Sequence, residues 1–287
     1  MKAQKIILRG FFFALVLSLV FTGCKKHEDE DTDTSASNDN ATSEAYFDDM
    51  GNIANEGAVS GAVSSYKNSP GTEVATDGLL SSCATVTFDT LYHANADSVT
   101  VDFGSSNCLC ADGRYRRGKI LVTYTGRYRD SATVITTVPI NYFVNDNQLV
   151  GTRTVTNLGH NSAGHLEYSI VVSGQIVLAN SGGTITWNST RTREWTQGES
   201  TIMWSDDQYS ITGSASGTSA KGVSYTATIT SPLIRNMALG CRKHFVQGTF
   251  DLTPSGKATR TVDYGTGACD NRATVTINGQ TYNITLK

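Results

Sequence analysis

Proline and charged residues are scarce in this chain. It has 4 prolines in 287 residues, and 17% of its residues are charged. The low charge excludes a histone-like protein and a wholly disordered one. Threonine is abundant instead, with 38 residues, and it outnumbers the helix formers leucine and glutamate. This excess argues against a helical bundle and favours β-strands.

The N-terminus has the features of a processing segment. Three basic residues in the first nine precede an apolar run, residues 11–21, which is too short to span a membrane comfortably. The run ends in Phe21-Thr22-Gly23-Cys24, which resembles a lipobox, where signal peptidase II cleaves and the cysteine is acylated. We predict a lipoprotein signal peptide over residues 1–23 and a lipid anchor on Cys24 that attaches the mature chain to a membrane. The alternative is an ordinary secretory signal followed by a chance cysteine.

An acidic segment follows Cys24. Residues 24–49 hold nine acidic residues against two lysines, which leaves 18 basic and 17 acidic residues in 50–287. We predict a flexible acidic tether over residues 24–43. Lysine followed by an acidic cluster after the lipid-bearing cysteine resembles the surface-export signal of Bacteroidota-type lipoproteins. The rest of the chain is nearly neutral, so it offers no field that would attract nucleic acid.

Helical periodicity occurs only in residues 44–66. Phe47, Met50, Ala54 and Ala58 recur at three- and four-residue steps. Glycines within the segment weaken a helix by about 1 kcal/mol each. We predict a short N-terminal helix within residues 44–70, laid over the main domain.

The pattern changes to a period of two from about residue 83. Segments such as 119–129 and 223–230 alternate apolar residues with Thr, Ser, Lys or Arg, which is typical of antiparallel strands with one solvated face. Asn278-Gly279 predicts a type I′ hairpin turn, and Asp146-Asn147 predicts a second turn. Roughly a dozen strands are expected, so the fold class is all-β. Residues 71–287 should form a large antiparallel meander sheet or a β-sandwich.

Two segments repeat the same motif together with a cysteine. Thr100–Ser105 and Thr261–Thr266 both read T-V-D-[FY]-G-[ST], and Cys108 and Cys269 follow at the same spacing. Upstream, Phe88-Asp89 and Phe250-Asp251 occupy similar positions after Cys83 and Cys241. We therefore predict a duplicated hairpin unit.

The repeat also predicts the cysteine pairing. An exported chain meets an oxidising compartment, which favours disulfides. The expected pairs are Cys83–Cys108 and Cys241–Cys269, and Cys110 is then either free or in competition with Cys108. A zinc site formed by Cys108, Cys110, Cys241 and His244 is the alternative, although its spacing is atypical.

A strand with aromatic and basic side chains is the main candidate for binding. Trp187, Arg191, Arg193 and Trp195 project to the same side of one extended strand. Aromatic rings beside guanidinium groups can stack on sugar rings and bind hydroxyls or carboxylates. The alternative is that both tryptophans belong to the core and the arginine stems cover them.

Recognised catalytic motifs are missing from the sequence. The segment closest to a G-x-S-x-G elbow, Gly213–Gly217, has Ala215 at the nucleophile position. No catalytic residue, metal or cofactor is therefore predicted.

Several short motifs also follow one another in a fixed order over residues 83–287. They are Asp112-Gly113-Arg114, Arg117–Ile120, Gly151–Thr156, Trp187–Trp195, Tyr209–Ser214 and Thr253–Lys257. In these motifs the chain resembles a family of uncharacterised Bacteroidota-type surface lipoproteins. The resemblance implies a location and an architecture, but no activity.

Two functions are therefore considered. The first is a non-catalytic, lipid-anchored protein of the cell outer membrane, exposed at the surface, whose sheet binds a glycan or another envelope protein and no nucleic acid. The second is an envelope hydrolase or isomerase with an active site of scattered Asp, Arg and Tyr residues on the sheet. A pocket holding two carboxylates with separated pKa values would favour the second function.

Overall fold

The fold was determined from a computed structural model, which describes residues 31–60, 80, 84–89, 98–201 and 203–286. The predicted signal peptide, the predicted lipid-bearing Cys24 and Cys83 lie outside the described residues. Helix α1 spans Ser35–Ser60, and a single 3₁₀ turn spans Trp204–Asp206. The strands are β1 Thr85–Asp89, β2 Ser98–Asp102, β3 Cys108–Leu109, β4 Tyr115–Tyr124, β5 Val134–Val144, β6 Asn147–His160, β7 Leu166–Val177, β8 Thr184–Gln197, β9 Gln208–Thr218, β10 Ser224–Asn236, β11 Gln247–Pro254, β12 Arg260–Thr266, β13 Arg272–Ile277 and β14 Gln280–Thr285. Within the described part of the chain, no helix combines the length and apolar character needed to cross a membrane.

All the strands belong to one antiparallel sheet. Each strand pairs with the next along the chain, except that β2 pairs with β4 and the short β3 pairs with β4 alone. The predicted all-β class and meander order are confirmed, and β1 and β14 form the two edges of the open sheet. Asn278 and Gly279 have φ values of 49° and 82° and connect β13 to β14, as the type I′ prediction requires. The turn between β5 and β6 is formed by Asn145 and Asp146, one residue earlier than predicted.

The sheet curves around α1. Thirteen strands laid flat at about 4.8 Å spacing would be about 60 Å wide, whereas a helix with its side chains is only about 10–12 Å across. Yet α1 contacts both β2 and β11, near opposite ends of the sheet. Asp31, just before the helix, pairs with Arg260 of β12. The sheet must therefore bend so that its concave face surrounds the helix, and the core lies between them.

The helix begins nine residues before the predicted segment. Residues 35–43 show little hydrophobic periodicity because several of them contact polar groups of the sheet and not apolar side chains. Asn40 accepts a hydrogen bond from the indole N–H of Trp187 at 2.9 Å, and Asp39 accepts one from the backbone of Ala220 at 2.8 Å. Residues 35–43 of the predicted tether thus belong to α1 and are buried or half-buried, and α1 is enclosed by the sheet instead of lying over it.

The repeated motif forms the same local structure twice. Asp102 accepts a hydrogen bond from the backbone N–H of Gly104 at 2.8 Å, and Asp263 accepts the equivalent bond from Gly265 at 2.7 Å. Both glycines have positive φ, 77° and 86°, which glycine adopts without strain. Each motif therefore forms the same side-chain-capped bend at a strand end: the bend follows β2 in the first motif and forms the last residues of β12 in the second.

The strands that precede the two motifs pair in different registers. Val101 lies opposite Val86 of β1, whereas its counterpart Val262 lies opposite Phe250 of β11. The expected match between Phe88 and Phe250 is therefore wrong, since Phe88 lies opposite Val99. The similarity covers the strand end and its turn, and does not extend to the whole hairpin.

Gly57 allows α1 to approach β2. A Cβ atom at position 57 would lie 2.5 Å from a methyl carbon of Val101. We expect Gly57→Ala to lower the free energy of unfolding by up to about 2 kcal/mol. The crowding costs about 1–3 kcal/mol and outweighs the gain of about 1 kcal/mol in helix propensity. Denaturant unfolding measures the change.

Asn55→Ala is the matched control for this variant. Asn55 is half-buried on the same helix, so its replacement changes helix propensity without adding a group against Val101. It should leave stability unchanged or slightly higher. If Gly57→Ala stabilised the protein as much as Asn55→Ala does, the close approach of α1 to β2 would be wrong.

Candidate functional site

The four predicted binding residues lie on the inward face of β8. Trp187, Arg191, Arg193 and Trp195 share that face, as the alternation predicts, and they are 0–9% exposed. Trp187 and Arg191 contact α1, and all four residues are buried, so the open aromatic and basic surface that the sequence suggests is not formed. A ligand on the outside of the sheet would not touch them, and their role in binding stays a prediction.

Trp187 is held by the helix that covers it. Its indole N–H donates to Asn40, and its ring stacks on Phe47 with the centroids 5.8 Å apart and the planes 15° from parallel. Gly174 on the neighbouring strand β7 makes room, because a Cβ there would lie 2.1 Å from the Phe47 ring. Burial of a large aromatic side chain together with its one polar atom makes Trp187 part of the core.

The arginines of the concave face pair with carboxylates carried by α1. Arg191 donates to both carboxylate oxygens of Glu44, at 3.0 and 2.7 Å, in a two-pronged arrangement. Arg116, which is fully buried, donates from a single nitrogen, Nη2, to both carboxylate oxygens of Asp49, at 2.9 and 2.8 Å. Each pair joins a helix residue to a strand more than 60 positions away in the chain.

Further ion pairs extend this interface to Asp31, just before the helix, and to Asp112, just before β4. They are Arg114–Asp49, Arg116–Asp112, Arg235–Asp48 and Arg260–Asp31. The distribution of charge along the sequence indicates these ion pairs, whereas hydrophobic periodicity does not. Residues 31–60 carry seven acidic residues and no Lys, Arg or His, and several inward strand positions are arginines.

The pKa values follow from these contacts. Burial alone would raise the pKa of Asp112, but the hydrogen bond and charge of Arg116 outweigh it and lower the pKa below its ordinary value. Burial alone would lower the pKa of Arg191, but the charge of Glu44 outweighs it and raises the pKa. Asp112 and Arg191 therefore stay ionised at neutral pH.

Arg193 has an environment unlike that of the other arginines. Its guanidinium donates to the hydroxyl of Tyr128, and its central carbon lies 5.1 Å from the ring centroid of Tyr168 and 4.8 Å from that of Tyr209. Within the described residues, no carboxylate lies within ion-pair distance of it. Three aromatic rings thus surround a buried cation.

A small cavity lies beside these arginines. It has a volume of about 30 Å³, and Arg191, Arg193 and Arg235 line it together with Glu44 and Asp48. Both carboxylates are already paired with arginines. An acid and base pair poised for catalysis would need at least one carboxyl group free of such a partner.

One of the two predicted cysteine pairs lies entirely within the described residues. Cys241 and Cys269 form a disulfide, which confirms that pair. Cys108 is also disulfide-bonded, but Cys83 lies outside the described residues, so the pairing of these two stays a prediction. Cys110 is a buried free thiol.

The alternative zinc site is not formed. Two of its expected ligands, Cys108 and Cys241, are in disulfides. Burial, with the charges of Arg235, Arg114 and Lys243, lowers the pKa of His244 to about 4, so its ring is neutral at pH 7. In the described part of the chain, no group of three His, Cys, Asp or Glu residues could hold a metal ion.

The outer face of the sheet carries an open groove that the sequence analysis did not single out. It crosses β7, β8, β9 and β10 and has a volume of about 500 Å³. Its eight outward side chains are exposed. They are Val171, Ser173, Asn188, Thr190, Ser214, Ser216, Thr226 and Thr228. All but one of them can form hydrogen bonds, and none is charged.

Comparison with known proteins gave no match: no family model, curated protein or solved structure is similar to this chain. The resemblance to surface lipoproteins therefore stays a prediction from the motifs.

Loss of one partner of the buried pair between Glu44 and Arg191 is expected to be strongly destabilising. Glu44→Gln leaves a buried guanidinium without its carboxylate, so the free energy of unfolding should fall by about 3–5 kcal/mol. Denaturant unfolding, followed by circular dichroism, measures the loss. Asp146→Asn is the control, because that carboxylate pairs with Arg117 in solvent and its removal should change stability little. Equal effects from the two variants would contradict the buried pairing.

Proposed function

We propose that this protein is a lipid-anchored protein of the cell envelope whose sheet domain is non-catalytic and binds a neutral glycan. The outer groove is the observation that carries this proposal. This groove is an open surface lined by hydroxyl and amide side chains, and none of its outward side chains is charged.

The register of the sheet aligns these side chains in two rows. Ser173, Asn188, Ser216 and Thr226 are cross-strand neighbours in one row, and Val171, Thr190, Ser214 and Thr228 form the other. Adjacent strands are about 4.8 Å apart, and outward residues on one strand repeat at about 6.7 Å. Such a grid offers donors and acceptors at regular intervals, which suits the hydroxyl groups along a sugar chain.

A glycan fits this groove better than a protein partner does. Protein interfaces depend on a few large anchors, mostly Trp, Tyr and Arg, and the outward side of the groove has none of them. Its one exposed apolar side chain, Val171, is too small to act as such an anchor. Hydrogen bonding to neutral hydroxyl groups is the chemistry that remains.

Two observations support the location in the envelope. The segment 1–24 has the pattern of a lipoprotein signal with an acceptor cysteine. The disulfide between Cys241 and Cys269 is of the kind that persists in oxidising compartments. Both favour an exported chain, and the acidic segment after Cys24 favours export to the surface.

Replacement of the acceptor cysteine tests the anchor. Cys24→Ser should abolish incorporation of a labelled fatty acid and move the protein from the membrane fraction to the soluble fraction, since the acyl chains provide the membrane affinity. Cys110→Ser is the matched control and should change neither result. Protease treatment of intact cells should cleave the wild-type protein if it is exposed at the surface. Retention of Cys24→Ser in the membrane fraction would contradict the anchor.

Glycan binding is tested with the full-length lipoprotein in detergent on an array of neutral and acidic glycans. Neutral glycans should bind best. The double variant Asn188→Ala with Ser216→Ala should weaken binding by about tenfold, because each lost hydrogen bond costs about 0.5–1.5 kcal/mol. Thr212→Ala, on the outer face of β9 but outside the groove, should bind as the wild type does. Equal binding by the double variant and the control would rule out the groove as the site.

A further inference from the structure

Three polar atoms beside the interior cavity lack hydrogen-bond partners. They are Oγ of Ser189, Nη1 of Arg191 and Nε of Arg193, each buried and without a partner among the described residues. The three residues line the same cavity, and they occupy successive inward positions on β8. Buried donors are almost always satisfied in native proteins, so three together indicate that something in the cavity accepts from them.

The charges around the cavity also favour a negatively charged ligand. Glu44 and Asp48 face it, but each is in an ion pair, with Arg191 and Arg235 respectively. Arg193 has no such carboxylate within ion-pair distance in the described part of the chain, and the residue is only 9% exposed. A desolvated cation of this kind is costly unless a negative charge lies near it.

We propose that the cavity is a binding site for a monatomic anion of the size of chloride. A cavity of about 30 Å³ has room for one small ion, since a single water molecule needs about 10–15 Å³. A water molecule in the same place would accept from two donors at most and would leave the charge of Arg193 unbalanced. A halide accepts from all three donors and supplies the missing charge.

The anion would act as an internal structural ion. It would lie between the inward face of β8 and α1, where it separates the guanidinium groups of Arg191 and Arg193. These two positive groups are neighbours on one strand, and the anion reduces their repulsion. The site is independent of the outer groove, and neither proposal rests on the other.

Crystallography of the full-length lipoprotein in detergent tests the site directly. Crystals grown in sodium bromide, with no chloride present, should show a bromide anomalous peak in the cavity, within hydrogen-bond distance of Arg191, Arg193 and Ser189. An ordered water without anomalous signal at this position would overturn the proposal.

Thermal unfolding at constant ionic strength provides the second test. Replacement of sodium gluconate by sodium chloride should raise the Tm in a saturable manner, because an ion that binds only the folded state stabilises it. Gluconate is too large for the cavity. Ser189→Ala should raise the chloride concentration at half effect by about three- to tenfold, since one of the three donors is lost.

Thr192→Ala is the matched control, on the same strand with its side chain on the opposite face of the sheet, and should leave the chloride response unchanged. If Ser189→Ala does not fold, Arg193→Lys keeps the charge but removes Nε and should weaken the response in the same way. A Tm that depends equally on chloride and gluconate would contradict the site. So would a chloride response that Ser189→Ala and Arg193→Lys both leave intact.

Discussion

The ion pairs between α1 and the concave face of the sheet are the constraint on which the rest of the structure depends. Residues 31–60, which include α1, carry seven acidic residues and no basic ones. Such a segment cannot be buried against an apolar sheet, because isolated charges are too costly to desolvate. It can be buried against a face that supplies arginines at matching positions. Glu44 with Arg191 and Asp49 with Arg116 show this matching in its closest form.

Such pairs specify the structure more than they stabilise it. The attraction between two buried charges is largely offset by the cost of removing them from water, although loss of one partner is strongly destabilising. A one-residue slip of a strand would turn every inward arginine to the outside and leave the helix carboxylates unpaired. The charges therefore penalise wrong registers and wrong helix positions, and they select one arrangement of α1 within the sheet.

The curvature of the sheet has the same origin. An open meander of short hairpins has no intrinsic reason to enclose a helix, and one face of such a sheet is commonly solvated. Here the inward face is apolar and arginine-rich. Strands β2, β4 to β8 and β11 contact the helix, Arg235 of β10 pairs with Asp48, and Arg260 of β12 pairs with Asp31 just before the helix. Small groups at the contact surface, such as Gly57 and Gly174, let the backbones approach. Wrapping satisfies the charges along the whole length of α1 at once.

The strands, the turn at Asn278-Gly279 and one disulfide could be predicted from the sequence because they depend on local patterns. Alternation places Trp187 and Arg191 on the same face, and Asn278-Gly279 defines a turn by its own backbone preferences. The start of α1 could not be predicted in this way. The polar residues from Ser35 to Ser43 resemble a solvated tether until Asn40 and Asp39 are seen with their partners, which lie about 150–180 positions away.

The candidate site shows the same limit of local reasoning. The alternation of residues along β8 predicts that Trp187, Arg191, Arg193 and Trp195 share a face. It does not predict what covers that face. An exposed binding surface and an enclosed core with charged partners produce the same pattern along one strand. The charge of the segment 31–60 separates the two, because acids without bases on a helix require positive partners when that helix is buried. The four side chains are buried on the concave face, whereas the groove on the outer face of β7 to β10, which has no charged side chain, is open to solvent.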